Sequence, residues 1–176
     1  MTEKYQEALD GLKQAIQLEI EGMKFFSRAA EVTRDPKGKE VFQRLAQSEA
    51  RHYQILKAEH EALSQTGHWL SYQEAYPAQK AELPSQAILD SQEALQQIEE
   101  GTGDLEALKI AIELEKKAGN YFQEAAQRAQ DPVAKEVFQR LAAEEETHLK
   151  LFEAEYDYVT RSGFYFDTRE FSPELQ

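Results

Sequence analysis

One segment of this chain is written twice, and a duplicated chain has few ways to fold. Residues 35–49 read DPKGKEVFQRLAQSE and residues 131–145 read DPVAKEVFQRLAAEE, a displacement of 96 positions. The same displacement carries AIQLEIEGMKFFSRAA, from Ala15, onto AIELEKKAGNYFQEAA, from Ala111. It also carries TGHWLSYQEAYP, from Thr66, onto SGFYFDTREFSP, from Ser162. The repeated units span about 10–80 and 106–176, and a connector at about 81–105 has no counterpart. Each unit, at roughly 70 residues, is longer than the usual solenoid repeats. Two copies point to one closed, pseudo-twofold domain over residues 1–176.

Each unit reads as a helical hairpin. Apolar and small residues recur at Leu12, Ile16, Met23, Phe26 and Ala30, and again at Leu108, Ile112, Phe122 and Ala126. That spacing is helical and no proline interrupts it. Asp35-Pro36 and Asp131-Pro132 supply an N-cap with proline at the first helical position. The following helices turn Val41, Phe42, Leu45, Ile55 and Leu56 inward, matched by Val137, Phe138, Leu141, Leu149 and Phe152. Gly67 and Gly163 suit the left-handed residue that closes a helix. The expected helices are 3–32, 36–65, 104–129 and 132–161, each pair antiparallel across a short turn. An aromatic tail follows each hairpin, at 68–70 and 164–166. The connector is too long for a tight turn, and Ser85 to Glu99 has helical character of its own. The fold class expected is therefore all-α: a four-helix bundle made of two duplicated hairpins joined by a long crossover, as in ferritin-like bundles.

Polar residues interrupt the apolar stripes at matching places. The first helix runs 12, 16, 19, 23, 26, and position 19 is Glu; the third has Glu115 there. The second runs 42, 45, 49, 52, 56, with Glu49 and His52; the fourth has Glu145 and His148. A bare buried carboxylate costs several kcal/mol, so four must be protonated, paired with cations or bound to metal. No Lys or Arg lies on these stripes, and metal is the simplest resolution. Residues three apart share one helix face, so each Glu-x-x-His can grip one ion or adjacent ions. Carboxylates and imidazoles without thiolates suit iron or manganese, and zinc less uniquely. One Glu from each of two helices plus Glu-x-x-His from each of the others is the ferritin-like di-metal pattern.

These residues resemble the rubrerythrin-like branch of the ferritin-like superfamily. The resemblance rests on AIQLEIEGMKFF and AIELEKKAGNYF with their Glu, and on EVFQRLAQSEARH and EVFQRLAAEEETH. It covers nearly the whole chain apart from the connector. It implies two iron ions midway along the bundle, bridged by Glu49 and Glu145. Glu19 and Glu115 would then be terminal ligands, and His52 and His148 would bind one ion each. The sequence departs from rubrerythrins proper in two ways. It has no cysteine for a rubredoxin domain, and Ala118 and its counterpart Gly22 stand where those proteins carry a carboxylate used in peroxide turnover.

Other residues have weaker cases. Tyr121 and Tyr53 are expected to pack, since their counterparts are Phe25 and Leu149. His60 is expected at the surface and His68 within the tail beside Trp69; Glu21, Glu144 and Glu146 are expected on solvated faces. No catalytic residue beyond the metal ligands is indicated.

Composition narrows the function classes. The absence of cysteine excludes disulfides, thiol catalysis and zinc-thiolate sites. With 33 acidic against 20 basic residues the net charge is −13, opposite to a nucleic-acid-binding footprint. No apolar run approaches the roughly 20 residues of a membrane span, and the N-terminus is not a secretory signal, so the cytoplasm is expected. The leading functional expectation is a di-iron oxidoreductase acting on dioxygen or hydrogen peroxide, with a separate electron-donor protein and room for a homodimer. The alternatives are an iron-binding or storage protein without redox turnover, and a structural bundle with an incidental metal.

Overall fold

The computed structural model describes residues 3–79 and 103–167. Five helices make up this part and it contains no strand: α1 (Glu3–Val32), α2 (Pro36–Thr66), a short α3 (Tyr72–Ala75), α4 (Asp104–Arg128) and α5 (Pro132–Ser162). The all-α, ferritin-like bundle expected from the duplication is what the chain forms. The four long helices begin and end within one residue of the expected bounds. The crossover and the helical reading of Ser85 to Glu99 lie outside the described residues. No described helix is long and apolar enough to cross a membrane.

Local chemistry explains those boundaries. The Asp35 carboxylate accepts from Lys37 N–H at 2.8 Å and Gly38 N–H at 3.4 Å. Asp131 repeats this with Val133 and Ala134 at 2.8 and 3.4 Å. Each cap satisfies amides that the first helical turn would leave unpaired. At the other end, Gly67 and Gly163 adopt φ of 77° and 80°, a conformation that glycine reaches without steric cost. The helix α3 was not foreseen. It is one turn held by a capping box between Ser71 and Glu74.

The hairpin pairs are α1 with α2 and α4 with α5. Their apolar stripes merge into two core clusters. One contains Leu12, Ala15, Leu56, Phe122, Val137, Phe138 and Leu141. The other contains their counterparts Leu108, Ala111, Phe152, Phe26, Val41, Phe42 and Leu45. Each cluster draws on both hairpins, so neither hairpin owns a core. The polar layer described below lies on the same stripes, between these clusters in sequence.

The tails exchange places. Trp69, at the end of the first hairpin, meets Phe138 on α5 with ring centroids 5.8 Å apart at 73°. Its counterpart Tyr165 meets Phe42 on α2 at 6.4 Å and 73°. Edge-to-face geometry of this kind adds to the burial of the rings. Tyr165 lies over Gly38, where a Cβ would come within 2.5 to 2.7 Å of three ring atoms. Gly38→Ala is therefore expected to destabilise the protein by about 1–3 kcal/mol through overpacking, although alanine is the better helix former. A thermal or urea melt of the variant measures this, and unchanged stability would contradict the packing described.

Candidate metal centre

Each of the six residues picked out by the interrupted stripes points into the bundle core. Glu19, Glu49, His52, Glu115, Glu145 and His148 are all 6% exposed or less. They fall into two overlapping groups. Glu19, Glu49, His52 and Glu145 form one; Glu49, Glu115, Glu145 and His148 form the other. Within each group the candidate ligand atoms lie within 4.8 Å of one another. Glu49 and Glu145 belong to both. Each group thus offers three carboxylates and one imidazole.

The histidines are arranged alike. Their rings stack with centroids 5.7 Å apart and planes at 19°. His52 turns Nδ1 inward, 2.8 Å from Glu145 Oε1 and 3.5 Å from Glu19 Oε2. His148 Nδ1 lies 3.1 Å from Glu145 Oε2, 3.4 Å from Glu49 Oε1 and 3.6 Å from Glu115 Oε2. The packing of α2 against α5 in opposite directions produces this: His52 faces Glu144 and Ser48 faces His148.

Burial and mutual contact set the electrostatics of the cluster. Burial pushes the Glu19 carboxyl well above its usual range, and Glu49 and Glu145 add to the shift while His52 opposes it. Burial raises Glu115 as well, against the opposing charge of His148. Burial disfavours charge on both imidazoles, but the surrounding carboxylates outweigh it and raise them: chiefly Glu145 for His52 and Glu115 for His148. Glu145 is also pushed up by burial, yet the two histidines bring it well below the ordinary carboxylate value.

Unpartnered atoms test the fit to metal directly. Among the described residues, both Glu19 oxygens, Oε1 of Glu49, Glu115 and Glu145, and His52 Nδ1 make no well-aligned hydrogen bond, and where they have a neighbour they meet it only as an ion pair, as His52 Nδ1 meets Glu145 Oε1. A buried polar atom left this way costs about 1–3 kcal/mol. Six of them converging on one layer fit a pair of cations, and the donor types fit iron or manganese.

A further shell surrounds the histidines, and the sequence did not reveal it. Glu144, expected on a solvated face, is half-buried. It accepts from His52 Nε2 at 3.1 Å, from Arg51 Nη2 at 2.9 Å and from the Tyr72 hydroxyl. Burial pushes its carboxyl up, but His52, Tyr72 and Arg51 prevail and hold it down at about 2. The expectation failed because these partners come from α2 and α3, which α5's own periodicity cannot show.

Two more buried carboxyls were also unforeseen. Glu59 and Glu155, again 96 apart, are fully buried. Glu59 Oε2 accepts from Leu70 N–H at 3.0 Å and Glu155 Oε2 from Phe166 N–H at 3.2 Å. Burial raises both to about 7.

The weaker candidates scatter. Tyr121 packs beside Phe122 and donates to the Gly11 carbonyl at 2.6 Å, away from the metal-ligating candidates. Tyr53 is half-buried on α2. His60 is half-buried rather than at the open surface. His68 is exposed rather than packed, because Trp69 and Leu70 take the inward positions of the tail. Glu146 pairs with Lys150 at 2.7 Å on an exposed face. Glu21 pairs with its counterpart Lys117 at 3.1 Å, bridging α1 and α4.

One comparison with known proteins gives a match. The family model Rubrerythrin matches residues 10–156. No curated protein and no solved structure matches the chain.

Proposed function

The chain belongs to the rubrerythrin family, and from that premise we propose that it is a non-haem di-iron oxidoreductase reacting with hydrogen peroxide or dioxygen. The observation that carries this reading is the pair of overlapping four-residue groups sharing Glu49 and Glu145. In this reading Glu49 and Glu145 would serve both ions, Glu19 and His52 would complete one position, and Glu115 and His148 would complete the other. Two irons held together by shared carboxylates would supply the two electrons that reduce peroxide to water.

The protein's own residues prepare that site. The two histidines present Nδ1 to the cluster while Nε2 is held from outside, which fixes ring orientation. Gly22 makes room for the Glu49 carboxylate: a Cβ there would lie 3.3 Å from its Cγ and Oε2. A small cavity between α1 and α4 reaches Glu49 and Glu115 past Gly22 and Ala118. Its volume, about 10 Å³, is on the scale of one water molecule. Small oxidants match that size and a larger organic substrate does not. No cysteine stands in these 176 residues to hold a thiolate-bound iron, and we assign electron supply to a donor outside them.

Anaerobic stopped-flow mixing of the diferrous protein with each oxidant tests the proposal. The near-ultraviolet absorption that accompanies iron oxidation is expected to rise at least tenfold faster than for free ferrous iron in the same buffer, a modest gain of about 1.4 kcal/mol in barrier. If neither oxidant does so, the oxidoreductase reading fails and metal storage replaces it.

A further inference from the structure

The two candidate metal positions have the same inner donors but different surroundings. Three carboxylates and one imidazole face each position, two of the carboxylates being common to both. With donor types alike, the clearest chemical difference between the positions lies outside that set. The outer nitrogens of the histidines supply one. His52 Nε2 meets the Glu144 carboxylate at 3.1 Å, whereas His148 Nε2 meets the Ser48 hydroxyl at 3.0 Å. Ser48 and Glu144 occupy equivalent places, 96 apart, so the duplication has diverged at the residue touching each histidine.

The divergence is built up on one side. Glu144 is held by three donors: His52, Arg51 and Tyr72. The counterpart of Arg51 is Thr147, an exposed residue that donates to the Ala143 carbonyl instead. Arg51 also donates to Ser48 at 2.9 Å, placing a cation rather than an anion beside the hydroxyl that meets His148. A histidine whose outer N–H donates to a carboxylate is a more basic metal ligand than one that donates to a neutral hydroxyl.

Resting on the reading that these six residues hold two ions, we propose that Glu144 is a positioning residue that makes the His52 position the tighter one. The ions then load in sequence, the first at Glu19 and His52, the second at Glu115 and His148. The asymmetry lies in what the outer nitrogens of the histidines touch, Glu144 on one side and Ser48 on the other.

Titration of the metal-free protein with Co²⁺, followed by calorimetry and visible absorption, tests this. Wild type is expected to take up two ions in separate steps. His148→Ala keeps the His52 position and His52→Ala keeps the other, so each background isolates one site. Adding Glu144→Ser is expected to weaken Co²⁺ about 10–100-fold in the His148→Ala background and less than roughly threefold in the His52→Ala background. Glu144→Gln, which keeps size and an acceptor, is expected to act in the same direction and serves should the serine variant fail to fold. A purely structural role for Glu144 would weaken both backgrounds alike, and that result overturns the inference, as do two indistinguishable steps in wild type. A wild-type protein that binds no Co²⁺ overturns the metal-centre reading itself.

Discussion

Replacing Glu49 and Glu145 together by alanine is expected to take the protein from two ferrous ions per chain to none. These two residues are the ones that both ligand groups contain. Without them the first position retains Glu19 and His52, and the second retains Glu115 and His148. Two ligands on a rigid scaffold leave most of a six-coordinate ion's shell to water, so the buried site offers little over bulk solvent. His52→Ala is a different case. It removes one of four groups from one position and none from the other, so one ion should remain. Metal analysis after anaerobic loading with ferrous iron and desalting distinguishes the two outcomes. Equal metal content in wild type and the double variant would rule out this ligand set.

The second large effect concerns acid–base chemistry away from the metal-ligating candidates. Glu59 and Glu155 are raised by burial from 4.5 to about 7. The unfolded chain releases these protons near 4.5, whereas the folded chain keeps them to about 7. Between those values the folded state binds more protons, so stability falls as pH rises, and above about 7 the full penalty applies. At 1.36 kcal/mol per pH unit the penalty approaches about 3 kcal/mol per residue as an upper bound. The Glu59→Gln, Glu155→Gln double variant is expected to match wild type near pH 4 and to exceed it in stability at pH 8. Urea midpoints of both proteins across that range, at the same metal content, give the difference. The histidines and the other buried carboxyls titrate in both proteins and so cancel. Parallel curves would mean that Glu59 and Glu155 ionise normally.

Much of this molecule is legible in its sequence because its signals are local and written twice. Asp35-Pro36 and Asp131-Pro132 start helices by satisfying nearby amides, and Gly67 and Gly163 end them by conformation alone. The six core-facing polar residues stand out because a stripe of period 3.6 makes each one an exception. Glu144 does not stand out. Its role depends on which residues α2 and α3 bring opposite it, a fact of tertiary packing. Glu59 and Glu155 stand on the same stripes as the metal-ligating candidates and share their displacement, yet they meet a backbone amide. What sets them apart is the chain folding back at Leu70 and Phe166 onto its own helix, and nothing in the helical periodicity announces that return.

The exchanged tails bear on what the molecule is as an object. Trp69 covers Phe138 and Tyr165 covers Phe42, each tail lying on a helix of the opposite hairpin. The halves relate to each other as subunits of an interlocked homodimer do, except that one polypeptide carries both. Covalent linkage turns such an association from a bimolecular equilibrium into an intramolecular one. Assembly then no longer depends on how much protein the cell makes. The same linkage frees the two halves from being identical, so an interface that a homodimer must keep self-complementary can here have a left and a right.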